Sequence, residues 1–124
     1  MKLLNDFFFI TSSSTEEAAG TYGISINPNH TIFKAHFPGN PIMPGVCQLD
    51  IVEEVMSERM GTPLHVSHIA NIKYMGLLTP TNDPTFSVEL SRIREVDDGI
   101  ALQAVLRNEN TIFTKMSITL SGSK

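Results

Sequence analysis

Alternating apolar and polar residues predict that the second half of the chain is built from β-strands. Apolar side chains recur at every second position in several runs, which places one face of each strand in a core. The predicted strands are 68–78, a run beginning at Phe86, 100–107 and 112–120. Sequences typical of turns lie at 82–84, 97–99 and 108–110. We therefore expect this half to form an antiparallel meander.

The first half of the chain is predicted to hold a hairpin and one long helix. Residues 7–14 and 20–27 can pair as strands, and residues 46–60 have apolar positions three and four apart. The helical set is Val46, Leu49, Val52, Met56 and Met60. Gly61 follows, as is typical just past the end of a helix. The expected fold class is α+β, with the helix lying against a curved antiparallel sheet.

Length and composition indicate one globular domain, 1–124, with 41% apolar and 18% charged residues. The net charge of −4 argues against non-specific binding to nucleic acid, which needs a basic surface. Cys47 is the single cysteine, which excludes an internal disulfide and fits a reducing compartment. Asn5 and Asp6 interrupt the apolar start of the chain, so we predict no signal peptide, no membrane span and a cytoplasmic location.

Residues 36–45 carry the candidate chemistry, because three prolines and two glycines fix the shape of this segment ahead of the helix. A rigid segment here holds His36 in place and directs free N–H groups of the first helical turn at a ligand. Gly45 lets a ligand approach that backbone closely, and Asp50 lies one to two turns into the helix. A histidine base, a carboxyl acid and an amide that stabilises an enolate suit α-proton removal with loss of a β-hydroxyl.

The residue types alone leave a structural alternative open for both side chains. A lone histidine in a loop is more often structural than catalytic, and proline and glycine are common in turns. An unpaired carboxylate on an otherwise apolar helix is costly, but Asp50 could be satisfied locally or lie at a surface edge.

The order and spacing of these residues resemble the signature of the bacterial β-hydroxyacyl-acyl-carrier-protein dehydratases. The shared pattern is His-Phe-Pro-Gly at 36–39, Pro-Ile-Met-Pro-Gly-Val at 41–46 and a carboxylate at Asp50. The hydroxymyristoyl and hydroxydecanoyl dehydratases are members of this family. The resemblance is dense over 32–50 and looser at 69–78 and 112–120. It implies a hot-dog fold, in which a curled antiparallel sheet surrounds one long central helix.

The resemblance also implies roles for individual residues. His36 falls on the catalytic histidine, Asp50 on the catalytic acid and Gly45 on the glycine whose amide binds the thioester carbonyl. The implied substrate-binding residues are Gly45, Phe37, Pro38, Met43 and Val46. In this family histidine and carboxyl come from different subunits, so the resemblance implies a homodimer with shared active sites; a hexamer is a further alternative.

Two departures from the family concern the acid. The hydroxymyristoyl type has glutamate where this chain has Asp50, and the family often has glutamine where this chain has Glu54. Asp50 and Glu54 share a helical face, so Glu54 is a candidate modulator that raises the pKa of one carboxyl by like-charge repulsion. The alternative, which we favour, is that Glu53 and Glu54 form a solvated edge.

Three functions remain open at this point. The leading one is dehydration of a (3R)-3-hydroxyacyl chain carried on acyl-carrier protein, without a cofactor or metal. The others are an acyl thioesterase and a non-catalytic acyl-binding or assembly partner. An acidic carrier needs a basic docking patch, for which the candidates are Arg92, Arg94, Arg107 and Lys115. Acyl chain length and pathway are not predicted.

Overall fold

The structure is a computed structural model that describes residues 2–35 and 42–122. Six strands and two helices follow one another along these residues. In chain order they are β1 (Phe8–Glu16), β2 (Ala19–Ile26), α1 (Thr31–Ala35), α2 (Gly45–Met60), β3 (Leu64–Tyr74), β4 (Thr85–Val96), β5 (Gly99–Arg107) and β6 (Ile112–Gly122). The expected hairpin, the long helix and the three later strands are confirmed, whereas α1 was not predicted.

The strands form one antiparallel sheet in the order β1-β2-β4-β5-β6-β3. The expected meander is therefore confirmed for β4, β5 and β6 but wrong for β3, which pairs with β6 at the edge of the sheet. The strand predicted at 68–78 also begins four residues earlier, at Leu64. The pairing of β3 with β6 shifts register at Val66/His68 and at Ile69/Asn71. These bulges interrupt the alternation of apolar and polar residues from which the start of β3 could have been predicted.

Helix α2 packs on one face of the sheet and supplies the centre of the core. Its buried residues fall in pairs that recur every four positions, which are 47–48, 51–52 and 55–56. The expected helical face is wrong at its ends, because Val46 is 64% exposed and Met60 is 46% exposed. The buried stripe begins one residue after Val46 and ends before Met60. Gly61 stops the helix as predicted, with a left-handed φ of 70°.

The residues before β1 complete the core beside α1. Phe7 is fully buried and stacks on Phe33 of α1, with ring centroids 5.2 Å apart. Leu3 and Leu4 are buried as well, so the N-terminal segment is packed against the domain.

Candidate functional site

The predicted site residues divide into two groups. His36, Phe37 and Pro38 lie outside the described residues. Met43, Gly45, Val46, Asp50 and Glu54 are described, and they follow one another through the start of α2.

The start of α2 is held from two sides. Before the helix, the amide of Met43 donates to the carbonyl of Leu78 at 2.8 Å, and Met43 is buried. In the first turn, the hydroxyl of Thr114 on β6 donates to the side-chain oxygen of Gln48, and both side chains are buried. Because a buried polar pair requires defined partner positions, this contact fixes the helix start over the sheet.

The first helical amides have no side-chain cap. Pro44 occupies the capping position without a side-chain hydrogen bond, and its carbonyl accepts from the amides of Cys47 and Gln48. Within the part of the chain that the structure describes, the amides of Gly45 and Val46 have no protein acceptor. Such amides at the positive end of a helix dipole favour an oxyanion.

Gly45 lies directly against Tyr74, the last residue of β3. A Cβ on residue 45 would be 2.6 Å from the Tyr74 hydroxyl oxygen and 2.7 Å from the adjoining ring carbon, Cζ. Real Cβ atoms do not approach so closely, so the contact requires glycine while the ring keeps this position. The sequence pattern does not reveal Tyr74, because the strand predicted at 68–78 places this residue mid-strand, whereas β3 ends at Tyr74, beside the helix start.

The Asp50 carboxyl is half-buried, a turn and a half beyond Gly45. Burial raises the pKa of this carboxyl above its ordinary value of 3.8, and the charges of Glu53 and Glu54 raise it further. Among the described residues, no protein group hydrogen-bonds the Asp50 side chain. An acid of this kind retains its proton to higher pH than an ordinary aspartic acid.

The interpretation of Glu53 and Glu54 as a solvated edge is wrong. Glu54 accepts from the amide of Leu3 at 2.8 Å through each oxygen, and from the amide of Leu4 at 2.9 Å. Glu53, whose side chain is 21% exposed, accepts from the amide of Val66 at 2.8 Å and lies 3.9 Å from Nδ1 of His65. Both carboxylates face main-chain donors that a sequence pattern does not reveal.

Cys47 behaves as a small core residue. Its thiol is buried, and burial raises its pKa to about 11, with the charge of Asp50 adding to the shift. A thiol in this state is a poor nucleophile, which separates Cys47 from the acid–base chemistry of its neighbours.

A cavity of about 530 Å³ lies along the C-terminal half of α2, beyond Asp50. Glu53, Glu54 and Glu58 are among its lining residues. Since carboxylates are poor neighbours for an alkyl chain, this cavity is a poor candidate for the acyl site. The helix start is the better candidate.

The basic residues separate into two regions on the outer face of the sheet. Lys115 is exposed on β6, next to Lys73 on β3, its cross-strand partner. Arg107 lies two residues beyond Val105, which pairs with Lys115 from β5. Arg94 pairs with Ala101 near the other end of β5. The predicted basic patch of Arg92, Arg94, Arg107 and Lys115 is therefore not one continuous surface. Lys73, which was not among the predicted residues, lies beside Lys115.

Several exposed apolar residues belong to the helix start, to β3 or to the residues just after it. We call Val46, Ile69, Tyr74, Met75 and Leu77 the apolar surface, and each is at least 46% exposed. Four of these residues lie on β3 or just after it. Strand β1, at the other edge of the sheet, presents serine, threonine and glutamate from Thr11 onward, and its exposed apolar side chain is Phe9, at 39%.

None of the helices described is long and apolar enough to cross a bilayer. Across residues 2–35 and 42–122, no three histidine, cysteine or acidic residues are grouped to hold a metal ion.

Comparison with protein families gives a match over most of the chain. The ApeI-like family, described as ApeI dehydratase, matches residues 12–114. Relatives include the 3-hydroxyacyl-acyl-carrier-protein dehydratase FabZ of Enterococcus faecalis, 27% identical over 77 residues, 56% of this chain and 55% of that protein. The FabZ of Syntrophobacter fumaroxidans is 20% identical over 123 residues, 93% of this chain and 82% of that protein. The chain spans less than two thirds of the length of the first relatives.

Solved structures show the same fold. The dehydratase heterocomplex ApeI:P from Xenorhabdus doucetiae superposes with a TM-score of 0.65 at 19% identity, covering 91% of this chain and 96% of that one. An uncharacterized protein from Erwinia carotovora subsp. atroseptica gives 0.62 at 20% identity, covering 89% and 90%. The expected hot-dog fold is thereby confirmed.

Proposed function

Because the chain belongs to the ApeI-like dehydratase family, we propose that it dehydrates (3R)-3-hydroxyacyl thioesters on acyl-carrier protein to trans-2-enoyl thioesters. The observation that carries this proposal is the start of α2, which presents the Gly45 amide for the chain's own site and a half-buried Asp50 carboxyl of raised pKa for the site it shares with its partner. The names of the FabZ relatives support the choice of an acyl-carrier thioester.

The proposed mechanism divides the elimination between a base, an acid and an oxyanion site. His36 removes the C2 proton, and the electron pair moves into the thioester carbonyl as an enolate. The Gly45 amide and the helix dipole stabilise the negative oxygen. Collapse of the enolate forms the C2=C3 bond and breaks the C3–O bond, while the partner's Asp50 protonates the departing hydroxyl. The products are the enoyl thioester and water.

The choice of Asp50 rather than Glu54 as the acid follows from their contacts. The carboxylate of Glu54 is occupied by the amides of Leu3 and Leu4, through three hydrogen bonds. Asp50 has no such contact within the described residues, and its raised pKa favours the protonated form that an acid needs. Glu54 then acts on Asp50 through its charge alone.

The apolar surface supports a homodimer with sites at the interface. Among the described strands β3 has one neighbour in the sheet, β6, so its outer edge is unpaired within residues 2–35 and 42–122. An unpaired edge beside exposed apolar side chains is a template for pairing with another strand, and β1, which is polar from Thr11 onward, offers fewer apolar contacts. Pairing through β3 would bring a second chain to the helix start. Val46 would then contact the second chain or the acyl chain, and buried Met43 would support the tunnel wall beside Phe37 and Pro38.

Lys73, Lys115 and Arg107 are the proposed docking surface for the acidic carrier. Like charges directly opposite on neighbouring strands are destabilising, and no ion pair is found for Lys73 or Lys115 within the described part of the chain. Lys73 precedes Tyr74 on β3, so the docking surface lies at the same end of this strand as the candidate site, on the opposite face of the sheet. Replacing both lysines by glutamate should raise KM for the carrier-bound substrate and leave KM for a pantetheine thioester unchanged.

The dehydration is tested with a synthetic 3-hydroxyacyl-pantetheine thioester, by following enoyl product and free thiol. Enoyl formation by the wild-type chain is expected. His36→Ala should reduce its rate about 10²–10⁴-fold, as expected for loss of a general base. Thiol release without enoyl would instead indicate a thioesterase, and binding without reaction an acyl-binding protein. Retained dehydration in His36→Ala would refute the choice of base.

A further inference from the structure

We propose that Tyr74 is a further catalytic residue of this site, and that its hydroxyl donates a hydrogen bond to the thioester oxygen beside the Gly45 amide. This inference rests on the proposed dehydration. It adds a side-chain donor to an oxyanion site otherwise made of backbone amides.

The first observation is the position of the phenol. Tyr74 is the last residue of β3 and pairs with Thr114 on β6. The hydroxyl of Thr114 donates a hydrogen bond to the side chain of Gln48, near the start of α2. This register turns the ring of Tyr74 to the helix side of the sheet, where its hydroxyl lies 2.6 Å from the position of a Cβ on residue 45. Gly45 thus permits an approach that any other residue would block while the ring stays here.

The second observation is that the hydroxyl is available. Within the described residues, no protein group hydrogen-bonds it, although Tyr22, the other tyrosine, accepts from Arg59 at 3.2 Å. Tyr74 is 54% exposed in the single chain, and in the proposed dimer this exposed part of the ring would face the interface at which the thioester binds. Burial of the rest of the side chain raises the pKa of the phenol above its ordinary value of 10, so the hydroxyl keeps the proton that it would donate.

The chemistry explains why such a donor matters. The oxygen of the thioester is weakly basic in the substrate and strongly basic in the enolate, so a fixed donor binds the transition state more tightly than the ground state. A steric role for Tyr74 predicts something different, because phenylalanine would fill the same space. The two roles are separated by removing the hydroxyl alone.

The test compares Tyr74→Phe with Tyr22→Phe in the full chain, using a 3-hydroxyacyl-pantetheine thioester. Tyr74→Phe should lower kcat about 10²-fold, the lower end of the loss when one oxyanion donor is removed, with little change in KM. Tyr22→Phe should keep the wild-type kcat. Thermal unfolding of each variant reports whether the fold is intact.

A second measurement uses the wild-type protein. The phenol titration of Tyr74, obtained by subtracting the ultraviolet absorbance of Tyr74→Phe, should move to higher pH when an enoyl-pantetheine thioester is bound, because donation favours the protonated phenol. An unchanged kcat in a folded Tyr74→Phe, or an unmoved titration, would overturn the role of Tyr74 while dehydration by the wild type stands. A wild type that forms no enoyl product would overturn the proposed function and this inference together.

Discussion

At the scale of single residues, Asp50 is placed where its charge is costly. Its carboxyl is half-buried on a helix whose next turn carries Glu53 and Glu54, and all three features raise its pKa. A surface aspartate would be ionised at neutral pH and unable to protonate a leaving hydroxyl. The same placement that prepares Asp50 as an acid therefore opposes folding at neutral pH.

Asp50→Asn should accordingly raise the melting temperature at pH 7 while abolishing dehydration. The folded-state pKa of Asp50 lies above the unfolded value, so its contribution to stability is fully present below about pH 3.8 and is lost as pH rises through the folded pKa. The gain from Asp50→Asn should therefore shrink as pH falls, which thermal scans over pH can follow. Asp97→Asn, in the exposed β4–β5 turn, is the control; a lower melting temperature for Asp50→Asn at pH 7 would contradict the argument.

Glu53→Gln should shift the pH dependence of dehydration. Removing this negative charge lowers the pKa of Asp50, so the decline in rate caused by loss of the acid should occur at lower pH than in the wild type. Glutamine retains one oxygen to accept from the amide of Val66. The measurement is kcat/KM across pH, compared with Glu58→Gln on the exposed side of the helix, and identical profiles for the three proteins would argue against this coupling.

At the scale of elements, Glu54 connects helix α2 to the N-terminal segment. The amides of Leu3 and Leu4 have this carboxylate as acceptor, and both side chains are buried beside it. The connection joins residues about fifty positions apart, so the carboxylate holds the chain terminus over the helix that carries Asp50.

Glu54→Ala should destabilise the fold by about 1.5–3 kcal/mol, the range for hydrogen bonds to a charged group. Hydrogen exchange at Leu3 and Leu4 should accelerate, because their amides lose the acceptor. Glu58→Ala, one turn further and exposed, should change neither quantity. Unaltered exchange at both amides in Glu54→Ala would show that the apolar packing of the segment is sufficient by itself.

Gly61 ends α2 in a conformation that other residues resist. Its φ is 70° and no atom lies within 4 Å of a Cβ built on it, so the cost of Gly61→Ala is conformational rather than steric. We expect a loss of about 1 kcal/mol in the free energy of unfolding. Gly122 also has open space but no left-handed φ, so Gly122→Ala is the matched control, and equal effects in denaturant titrations would contradict this account.

The elements that were predicted correctly are those determined by residues within a few positions of one another in the sequence. Helix α2 and its stop at Gly61 follow from spacing and one backbone preference. Strand β3 was misplaced because bulges interrupt its alternation, and its pairing with β6 depends on contacts distant in sequence. The contact of Gly45 with Tyr74, and the binding of the Leu3 and Leu4 amides by Glu54, also join residues that are far apart in the sequence. A local motif therefore cannot predict them.

At the scale of the whole molecule, the two edges of the sheet differ in chemistry. Strand β1 ends the sheet with side chains that are polar from Thr11 onward, whereas β3 ends it beside the apolar surface that begins at Val46. A homodimer through β3 would cover that surface and place Gly45 of each chain near the second chain. Dehydration would then require two chains, with His36 acting alongside the partner's Asp50.

Mixing two inactive variants tests this division directly. His36→Ala and Asp50→Asn each disable every site of their own dimer. In a mixed dimer, one site receives His36 and Asp50 intact and the other receives neither. Random exchange of equal amounts makes half of the dimers mixed, so activity should return to about one quarter of the wild-type value. The control is the same mixture before the subunits have exchanged, which should be inactive, and gel filtration checks that the protein is dimeric. A fully exchanged mixture that stays inactive would indicate that histidine and carboxyl act within one chain.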